Sequence, residues 1–210
     1  MPLFLTFEGP DGSGKSTQAR LLADELRARG HDVLLTREPG GTPLGEQLRE
    51  VLLAHGGAPM TPTAMALIMS AARAQLVHDV IKPALRSDRI VILDRYADST
   101  SAYQGAGLGL DREIVDRLRA IAAPVRPDLT FYVDVPEEIA LGRLSDRNDA
   151  NRLDVETVAF HRRVREGYEQ LIAEEPDRWV RIDGTGTPDR VHVTIMQALA
   201  PVLRQTPKAS

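Results

Sequence analysis

The feature that most constrains this chain is a glycine-rich segment near its N-terminus. It reads Gly9-Pro10-Asp11-Gly12-Ser13-Gly14-Lys15-Ser16 and fits the pattern G-x-x-x-x-G-K-[ST] at every fixed position. An apolar run precedes it and an amphipathic run follows it, which predicts a strand, a tight turn and a helix in that order. Successive backbone N–H groups of such a turn can surround an anion, and the helix N-terminus adds partial positive charge. The segment Gly9 to Thr17 is therefore predicted to bind the phosphates of a nucleotide.

Two side chains of this segment have specific expected roles. Lys15 can reach the β- and γ-phosphates, and the hydroxyl of Ser16 can bind Mg²⁺. A glycine-rich turn arising by chance would not carry the strand and the helix on its two sides. Nucleotide binding alone does not fix the reaction, because many NTPases and kinases share this turn.

Short apolar runs alternate with amphipathic stretches along the whole chain, which indicates an α/β fold with a mostly parallel sheet. The predicted strands are Leu3–Phe7, Val33–Leu35, Ile90–Leu93, Leu129–Val133 and Val180–Ile182. Helices are predicted from Lys15 to Arg29, from Thr42-Pro43 to Leu53, from Thr61-Pro62 toward Arg86 with a kink or end at Pro83, from Asp111 to Ala122, from Pro136 to about Leu144, from a cap at Asp154 to about Glu175, and onward from Thr187-Pro188.

Composition excludes several classes of protein. The 210 residues include 42% hydrophobic and 27% charged side chains, which is typical of a globular domain, and no cysteine for a disulfide or a thiolate metal site. The N-terminus has no basic stretch before its short apolar run, and no run of about 20 apolar residues occurs. The net charge of −4 gives no basic stripe for nucleic acid. We therefore expect a cytoplasmic protein with neither membrane nor nucleic-acid partners.

A second group of chemical residues follows the predicted strand Ile90–Leu93. Ligands of parallel α/β sheets bind beyond the carboxyl ends of the strands. Asp94 is then placed to hold Mg²⁺ near Ser16, directly or through water, and Arg95 to neutralise charge on a phosphate in transfer. The alternative for such a pair is a surface salt bridge.

Two further arginines are candidates. Arg37 precedes a Pro-Gly-Gly turn at the end of the second predicted strand, where it either presents a cation to a ligand or belongs to a plain connecting turn. Arg73 lies in a helix rich in Ala, Met, Leu and Ile, so it needs an anionic partner or a path along the helix to solvent.

Together these segments resemble the bacterial thymidylate kinase family. The resemblance rests on Glu-Gly-Pro-Asp-Gly-Ser-Gly-Lys-Ser-Thr, Thr-Arg-Glu-Pro-Gly-Gly-Thr, Ala-Ala-Arg and Asp-Arg-Tyr-x-x-Ser-x-x-Ala-Tyr-Gln, and it runs in the family's order from about Leu3 to Ile182. It implies Mg-dependent transfer of the γ-phosphoryl group of ATP to dTMP, giving dTDP and ADP for dTTP synthesis. It also implies a five-stranded parallel sheet of the P-loop kinase type and a homodimer. The length of the chain fits a single domain over residues 1–210, and we expect a frayed tail at about 205–210.

The resemblance assigns expected roles residue by residue. Arg37, Arg73 and Arg95 would hold the acceptor nucleotide and its phosphate, and Asp11 would approach the acceptor's sugar. Tyr103 would pack on that sugar and disfavour a ribose 2′-hydroxyl. The remaining expected lining residues of the acceptor pocket are Met69, Ser99, Thr100 and Gln104.

The segment from about 143 to 154 resembles the mobile lid of the family. Arg143, Arg147 and Arg152 stand at lid arginine positions. None of residues 10 to 13 is arginine, so the chain resembles the subgroup in which the lid supplies an arginine to the transferred phosphate. Arg147 is the first choice for this catalytic role and Arg152 the second, and the alternative is that all three are solvated charges.

Two positions depart from the family's usual pattern. Met69 occupies the place of an aromatic residue that stacks on thymine, and Asn151 stands where an aspartate often precedes the last lid arginine. A thioether can pack on a ring, but the selectivity for the base stays open. The nearest rival is therefore another nucleoside or deoxynucleoside monophosphate kinase of the same fold, and a more distant one is a P-loop ATP switch that phosphorylates no metabolite.

Overall fold

A computed structural model of the chain describes residues 2–54, 59–145 and 157–205. These residues form a five-stranded sheet in the order β2-β3-β1-β4-β5, in which all neighbouring strands are parallel. The strands are β1 Leu3–Glu8, β2 Val33–Arg37, β3 Ile90–Asp94, β4 Leu129–Asp134 and β5 Trp179–Asp183. The predicted α/β fold with a five-stranded parallel sheet is confirmed.

Helices cover the sheet. They are α1 Lys15–Ala28, α2 Pro43–Leu53, α3 Pro62–Leu76, α4 Lys82–Arg86, α5 Ala97–Thr100, α6 Arg112–Ala122, α7 Glu137–Ser145, α8 Val158–Glu174 and α9 Pro188–Gln205. Helices α1 and α9 bury Leu22 and Ile195 in one apolar core together with Phe7 and Phe131 of the sheet. Because every residue of β1 is buried, this central strand is almost wholly apolar, as its sequence predicts.

The helical stretch that begins at Pro62 runs to Arg86, as the sequence predicts, and its irregularity is a π-helical turn at Val77–Ile81, just before Pro83. Proline lacks an N–H and its ring would strike the carbonyl four residues back, so a wider turn accommodates it. Helix α8 has Thr157 as its N-cap, whose hydroxyl accepts a hydrogen bond from the Phe160 amide at 3.2 Å, in place of the predicted Asp154.

A further helix was not predicted. Helix α5 continues without a break into a π-helical segment, Ser101–Gly107. The two are called the π-extended helix below, and it packs against α8. Its polar residues hid it from a search for apolar periodicity, because several of its buried side chains are Ser, Thr, Asp and Gln.

One helical stretch among the described residues, Pro62–Arg86, is long and apolar enough to cross a membrane by length and composition alone. Half of its most apolar window is buried inside the fold. Core helices of globular proteins have the same composition, so this is weak support for a membrane span.

The carboxyl ends of the central strands bring the predicted motifs together. In the register of the sheet, Asp94 of β3 pairs with Phe7 of β1 on one side and with Arg37 of β2 on the other. The glycine-rich turn leaves β1 at the same edge. The segments that the sequence analysis singled out therefore surround one end of the sheet.

Candidate functional site

The glycine-rich turn has a geometry that only glycine permits at key points. Gly9, Gly12 and Gly14 have φ values of 143°, 78° and 94°, outside the range that L side chains normally adopt. A Cβ at Gly9 would lie 2.5 Å from the carbonyl oxygen of Val133, and one at Gly12 would lie 2.3 Å from that of Ala140. The predicted strand, turn and helix are present, and the turn is tightly enclosed by its neighbours.

Lys15 begins helix α1 and turns back across the loop. Its side-chain amine donates to the carbonyl oxygen of Pro10 at 3.2 Å and lies 3.6 Å from a carboxylate oxygen of Asp11. Burial, followed by repulsion from Arg95, lowers the pKa of Lys15 from its ordinary value. A buried ammonium near another cation is well suited to an added anion at this place.

Arg95 is the most constrained side chain of the site. Its backbone is left-handed, with φ 69°, which is uncommon for a residue other than glycine. This conformation turns the chain at the end of β3. The guanidinium donates to Asp11 at 2.5 Å and to the hydroxyls of Tyr103 at 2.9 Å, Ser99 at 3.0 Å and Tyr168 at 3.3 Å.

Asp11 links the phosphate turn to the arginine. Its second oxygen accepts a hydrogen bond from the Tyr103 hydroxyl at 2.6 Å. Burial alone would raise the pKa of Asp11, but the charges of Arg95 and Lys15 lower it well below its usual range. Asp11 is therefore ionised at neutral pH and holds Arg95 and Tyr103 in fixed positions.

A cavity of about 110 Å³ opens beside this cluster. Its lining consists of Asp11, Glu38, Pro39, Arg49, Leu52, Leu53, Met65, Met69, Arg95, Ser99, Tyr103 and Gln104. The lining combines four charged side chains with apolar ones, which suits a ligand that carries both a phosphate and a ring. Six of the predicted acceptor residues line this cavity: Asp11, Met69, Arg95, Ser99, Tyr103 and Gln104.

Arg73 and Thr100 lie directly behind this lining. Arg73 is 1% exposed and donates to a carboxylate oxygen of Glu38 at 2.8 Å and to the Thr100 hydroxyl at 2.9 Å. Burial raises the pKa of Glu38 to about 7, although the charge of Arg73 opposes this shift. The sequence left two alternatives open for Arg73, an anionic partner or a path to solvent. The structure shows the first, and the partner is Glu38 of the protein itself.

A second cavity is lined by residues that include Ser16, Arg37 and Asp94. Arg37 is half exposed and donates to Glu46 at 2.9 Å. Asp94 has a buried oxygen, Oδ1, without a hydrogen-bond partner among the described residues, and Ser16 is exposed. A carboxylate oxygen and a hydroxyl are ligands that suit Mg²⁺ and its bound waters, so these residues fit the ion.

A third cavity adjoins the outer side of the phosphate turn. Its lining consists of Ser13, Gly14, Thr17, Gln18, Arg143, Gly184, Gly186, Pro188 and Val191. The Arg143 guanidinium lies within 3.4 Å of the Gly12 and Ser13 carbonyl oxygens and donates to Gly184 at 3.0 Å. It thereby joins the turn to the loop after β5. The other lid arginines, Arg147 and Arg152, lie outside the described residues.

Sequence reasoning missed Arg49, which lines the first cavity. It lies on the same face of α2 as the buried Gly45 and Leu52, a spacing that could have marked it as facing inward. Its guanidinium donates to the carbonyl oxygen of Pro39 at 3.0 Å. Burial, followed by repulsion from Arg37, lowers its pKa, so an anion placed here would be favoured.

Several known proteins are similar to this chain. A family model described as thymidylate kinase matches residues 7–195. A thymidylate kinase of Thermomicrobium roseum is 48% identical over 98% of this chain and 98% of that protein. One of Roseiflexus castenholzii is 45% identical over 99% of this chain and 97% of that protein. The crystal structure of thymidylate kinase from Ehrlichia chaffeensis superposes with a TM-score of 0.77 at 36% identity, covering 94% of this chain and 98% of that one.

Proposed function

Because the chain belongs to the thymidylate kinase family, we propose how its residues carry out transfer of the γ-phosphoryl group of ATP to dTMP. The products are dTDP and ADP. The observation that carries the assignment of residues is Arg95, which donates to Asp11 of the phosphate turn and lines a cavity with both charged and apolar walls.

ATP lies with its phosphates in the turn Gly9 to Thr17 and its adenine in the cavity beside Arg143 and the loop after β5. The backbone amides and Lys15 bind the β- and γ-phosphates. Lys15 now lies 3.6 Å from Asp11. Binding of ATP adds a second anion beside the ammonium group of Lys15. This group then bridges Asp11 and the phosphate, and the charge around it stays balanced.

The acceptor dTMP lies in the first cavity. Its phosphate meets Arg95 and Arg49, and its sugar lies against Tyr103 and Asp11. Its base lies between Met65 and Met69. Arg37, on the far side of Asp94, approaches the phosphates from the second cavity, and Arg73, Thr100, Ser99 and Gln104 shape the wall around the base.

Phosphoryl transfer needs alignment of two anions and neutralisation of their charge more than covalent chemistry. Mg²⁺, held by Ser16 and by Asp94 directly or through water, would supply charge neutralisation at the β- and γ-phosphates. Arg95 supplies a fixed positive charge between donor and acceptor. The lid, through Arg147 or Arg152, adds a further arginine and excludes water that would otherwise hydrolyse ATP.

A homodimer is part of this proposal. Five exposed apolar side chains lie on α2, α3 and α6, and α3 packs against both of the other helices. They are Leu44, Val51, Leu67, Ile114 and Ile121, each at least 40% exposed. An apolar surface of this kind is typical of a subunit interface. Sedimentation velocity of the wild type and of Leu67→Asp would test it, and a wild-type monomer would contradict it. The cytoplasm, where ATP and dTMP meet, is the proposed location.

The direct test measures ADP production by the purified protein with Mg²⁺ and ATP, supplying dTMP, dUMP, dCMP, dGMP and UMP separately. We expect the highest rate with dTMP, a lower one with dUMP and little with UMP. A flat or shifted profile would mean that Met69 has changed the accepted base. No stimulation by any monophosphate would contradict the proposal and favour a nucleotide switch.

The variant Met69→Phe sharpens this test. An aromatic ring at this position could stack on the base, a contact worth about 1 kcal/mol. We expect the KM for dTMP to fall a few-fold in the variant while the KM for ATP stays the same. An unchanged KM for dTMP would mean that the base lies elsewhere.

A further inference from the structure

Helix α8 contributes one buried tyrosine to the back of the acceptor site. The hydroxyl of Tyr168 donates to a carboxylate oxygen of Glu8 at 2.8 Å. It also lies 3.3 Å from Nη1 of Arg95 and 3.1 Å from the hydroxyl of Ser99. The side chain is 0% exposed and does not line the acceptor cavity, so direct contact with substrate is not its role.

Glu8 is the fixed point of this arrangement. It ends β1 immediately before the phosphate turn and is 0% exposed. One carboxylate oxygen accepts from the Tyr96 amide at 2.8 Å, and the other accepts from the Ser99 hydroxyl at 2.6 Å as well as from Tyr168. These donors hold the carboxylate in place. The carboxylate in turn sets the direction in which the hydroxyl protons of Ser99 and Tyr168 point.

The direction of those protons decides whether a proton or a lone pair of each hydroxyl faces the guanidinium of Arg95. A hydroxyl has a single proton and two lone pairs. Because Ser99 and Tyr168 both give that proton to Glu8, each can offer only lone pairs to the nearby Nη1 of Arg95. Arg95 is thus held on this side by two acceptors and, through them, by the negative charge of Glu8. On its other side it is held by Asp11.

The position of Tyr168 depends on how α8 meets the π-extended helix. A Cβ added at Gly167 would lie 2.7 Å from the Cβ of Ala106, and one at Gly107 would lie 2.6 Å from the ring of Phe160. Arg163 of α8 also donates to the carbonyl oxygen of Gly107 at 2.7 Å. There is no room for a methyl group between the helices, so α8 has one possible position on the site.

From this geometry we infer that Tyr168 is a positioning residue that sets the orientation of Arg95 through the shared carboxylate of Glu8. The inference rests on the proposed role of Arg95 at the acceptor phosphate. It assigns α8, which begins just after the lid segment, a direct part in preparing the acceptor site.

The test compares Tyr168→Phe with Tyr132→Phe. Tyr132 is also 0% exposed, its ring lies 5.2 Å from that of Tyr168, and its hydroxyl has no hydrogen-bond partner among the described residues. Both variants remove one buried hydroxyl from the same aromatic cluster, but only the first removes a contact to Glu8 and Arg95. We expect kcat/KM for dTMP to fall about tenfold in Tyr168→Phe. It should stay within about twofold of wild type in Tyr132→Phe, and the KM for ATP should be unchanged in both.

Equal kinetics for the two variants would overturn the inference, as would a lower melting temperature of Tyr168→Phe with normal kinetics. The variant Gly167→Ala keeps the hydroxyl but displaces α8, and should show the same selective loss with dTMP if the Phe variant folds poorly. Normal kcat/KM with dTMP in that variant would also overturn the inference. The variant Arg95→Ala distinguishes a failure of the proposed role of Arg95 from a failure of the inference about Tyr168. If it retains normal dTMP kinase activity, the proposed role of Arg95 fails. If it loses activity while Tyr168→Phe matches Tyr132→Phe, only the inference about Tyr168 fails.

Discussion

Two largely buried arginines of this protein, Arg95 and Arg178, are held in very different ways, and the side chain of Arg95 is 13% exposed. Arg178 is 2% exposed, makes two hydrogen bonds to the carboxylate of Asp98 at 2.8 and 3.0 Å, and donates to Glu175 at 3.0 Å. Arg95 meets a single carboxylate, that of Asp11, and otherwise donates to three hydroxyls.

The difference separates an arginine whose charge is used within the fold from one whose charge remains for a ligand. Two carboxylates bind Arg178, and its position between α5 and β5 makes it a support for the fold. Hydroxyls fix the direction of a guanidinium without cancelling its charge. Arg95 therefore keeps an electrostatic attraction for a phosphate while its side chain is held still, which is the preorganisation that charge stabilisation requires.

The largest effect is expected for Arg95→Ala. Loss of a preorganised charge at a transferring group typically costs about 10³-fold in turnover. The fold should tolerate the change because the partners of Arg95 retain one another: Tyr103 still donates to Asp11, and Ser99 still donates to Glu8. Steady-state kinetics with dTMP, together with a thermal melt, would check this. If the variant unfolds, Arg95 supports the fold as Arg178 does, and the difference between the two arginines is wrong.

The opposite outcome is expected for Arg178→Met. Among the described residues, removing Arg178 leaves Asp98, which is 0% exposed, with Arg119 at 3.3 Å as its one remaining cationic partner. The free energy of unfolding should fall by about 3 kcal/mol, with kcat nearly unchanged below the melting temperature. Urea unfolding measures this. The double variant Arg178→Met, Asp98→Asn should recover part of the loss, because no unpaired charge then remains. A large loss of kcat in folded protein would contradict the structural role.

A third buried arginine, Arg73, allows a sharper test through its partner Glu38. The pKa of Glu38 is about 7 in the fold, against an ordinary value of 4.5. An acid whose pKa is raised by folding ionises first in the unfolded chain, so stability falls as pH rises between about 5 and 7. The variant Glu38→Gln lacks this titration. From pH 5 to 8 we expect the wild type to lose about 2 to 3 kcal/mol of unfolding free energy relative to the variant. Parallel curves for both proteins would mean that Glu38 is ionised throughout this range.

The smallest effect is expected at the edge of the Arg178 cluster. Arg126 donates to Glu175, the same carboxylate that Arg178 meets, but its side chain is 67% exposed. Exposed ion pairs are worth little, so Arg126→Ala should change the free energy of unfolding by less than about 0.5 kcal/mol. A larger change in urea unfolding would mean that the outer arginine is essential to the buried cluster.

The sequence predicts one of the two arginines far better than the other. Arg95 follows a recognisable strand and an aspartate, so its place at the edge of the sheet can be deduced from nearby residues. The ion pair of Arg178 with Asp98 joins residues that are 80 positions apart, and no local pattern announces it. The same separation conceals Tyr168, whose contact with Glu8 spans 160 positions.

The residues of the site differ in the same way in how well the sequence predicts them. The phosphate turn and Asp94 could be predicted because the function of each depends on its own short segment and on the strand before it. Glu38 could not, because whether it faces a cavity depends on how α2 packs beside the end of β2. The helical spacing of Arg49 could mark it as facing inward, but not which cavity it lines. The π-extended helix escaped prediction for a different reason. Several of its buried side chains are polar, and a search for apolar periodicity does not detect a helix whose buried face is polar.

The central position of β1 has a consequence for how the protein is made. Thr6 pairs with Thr130 of β4, 124 residues further along the chain. At a synthesis rate of about 5 to 20 residues per second, roughly 6 to 25 s pass between the appearance of the two strands. During that interval one edge of this fully buried strand has no neighbour. The order of strands along the chain thus sets a waiting time during translation, in which the nascent protein must keep its first strand from pairing with another chain.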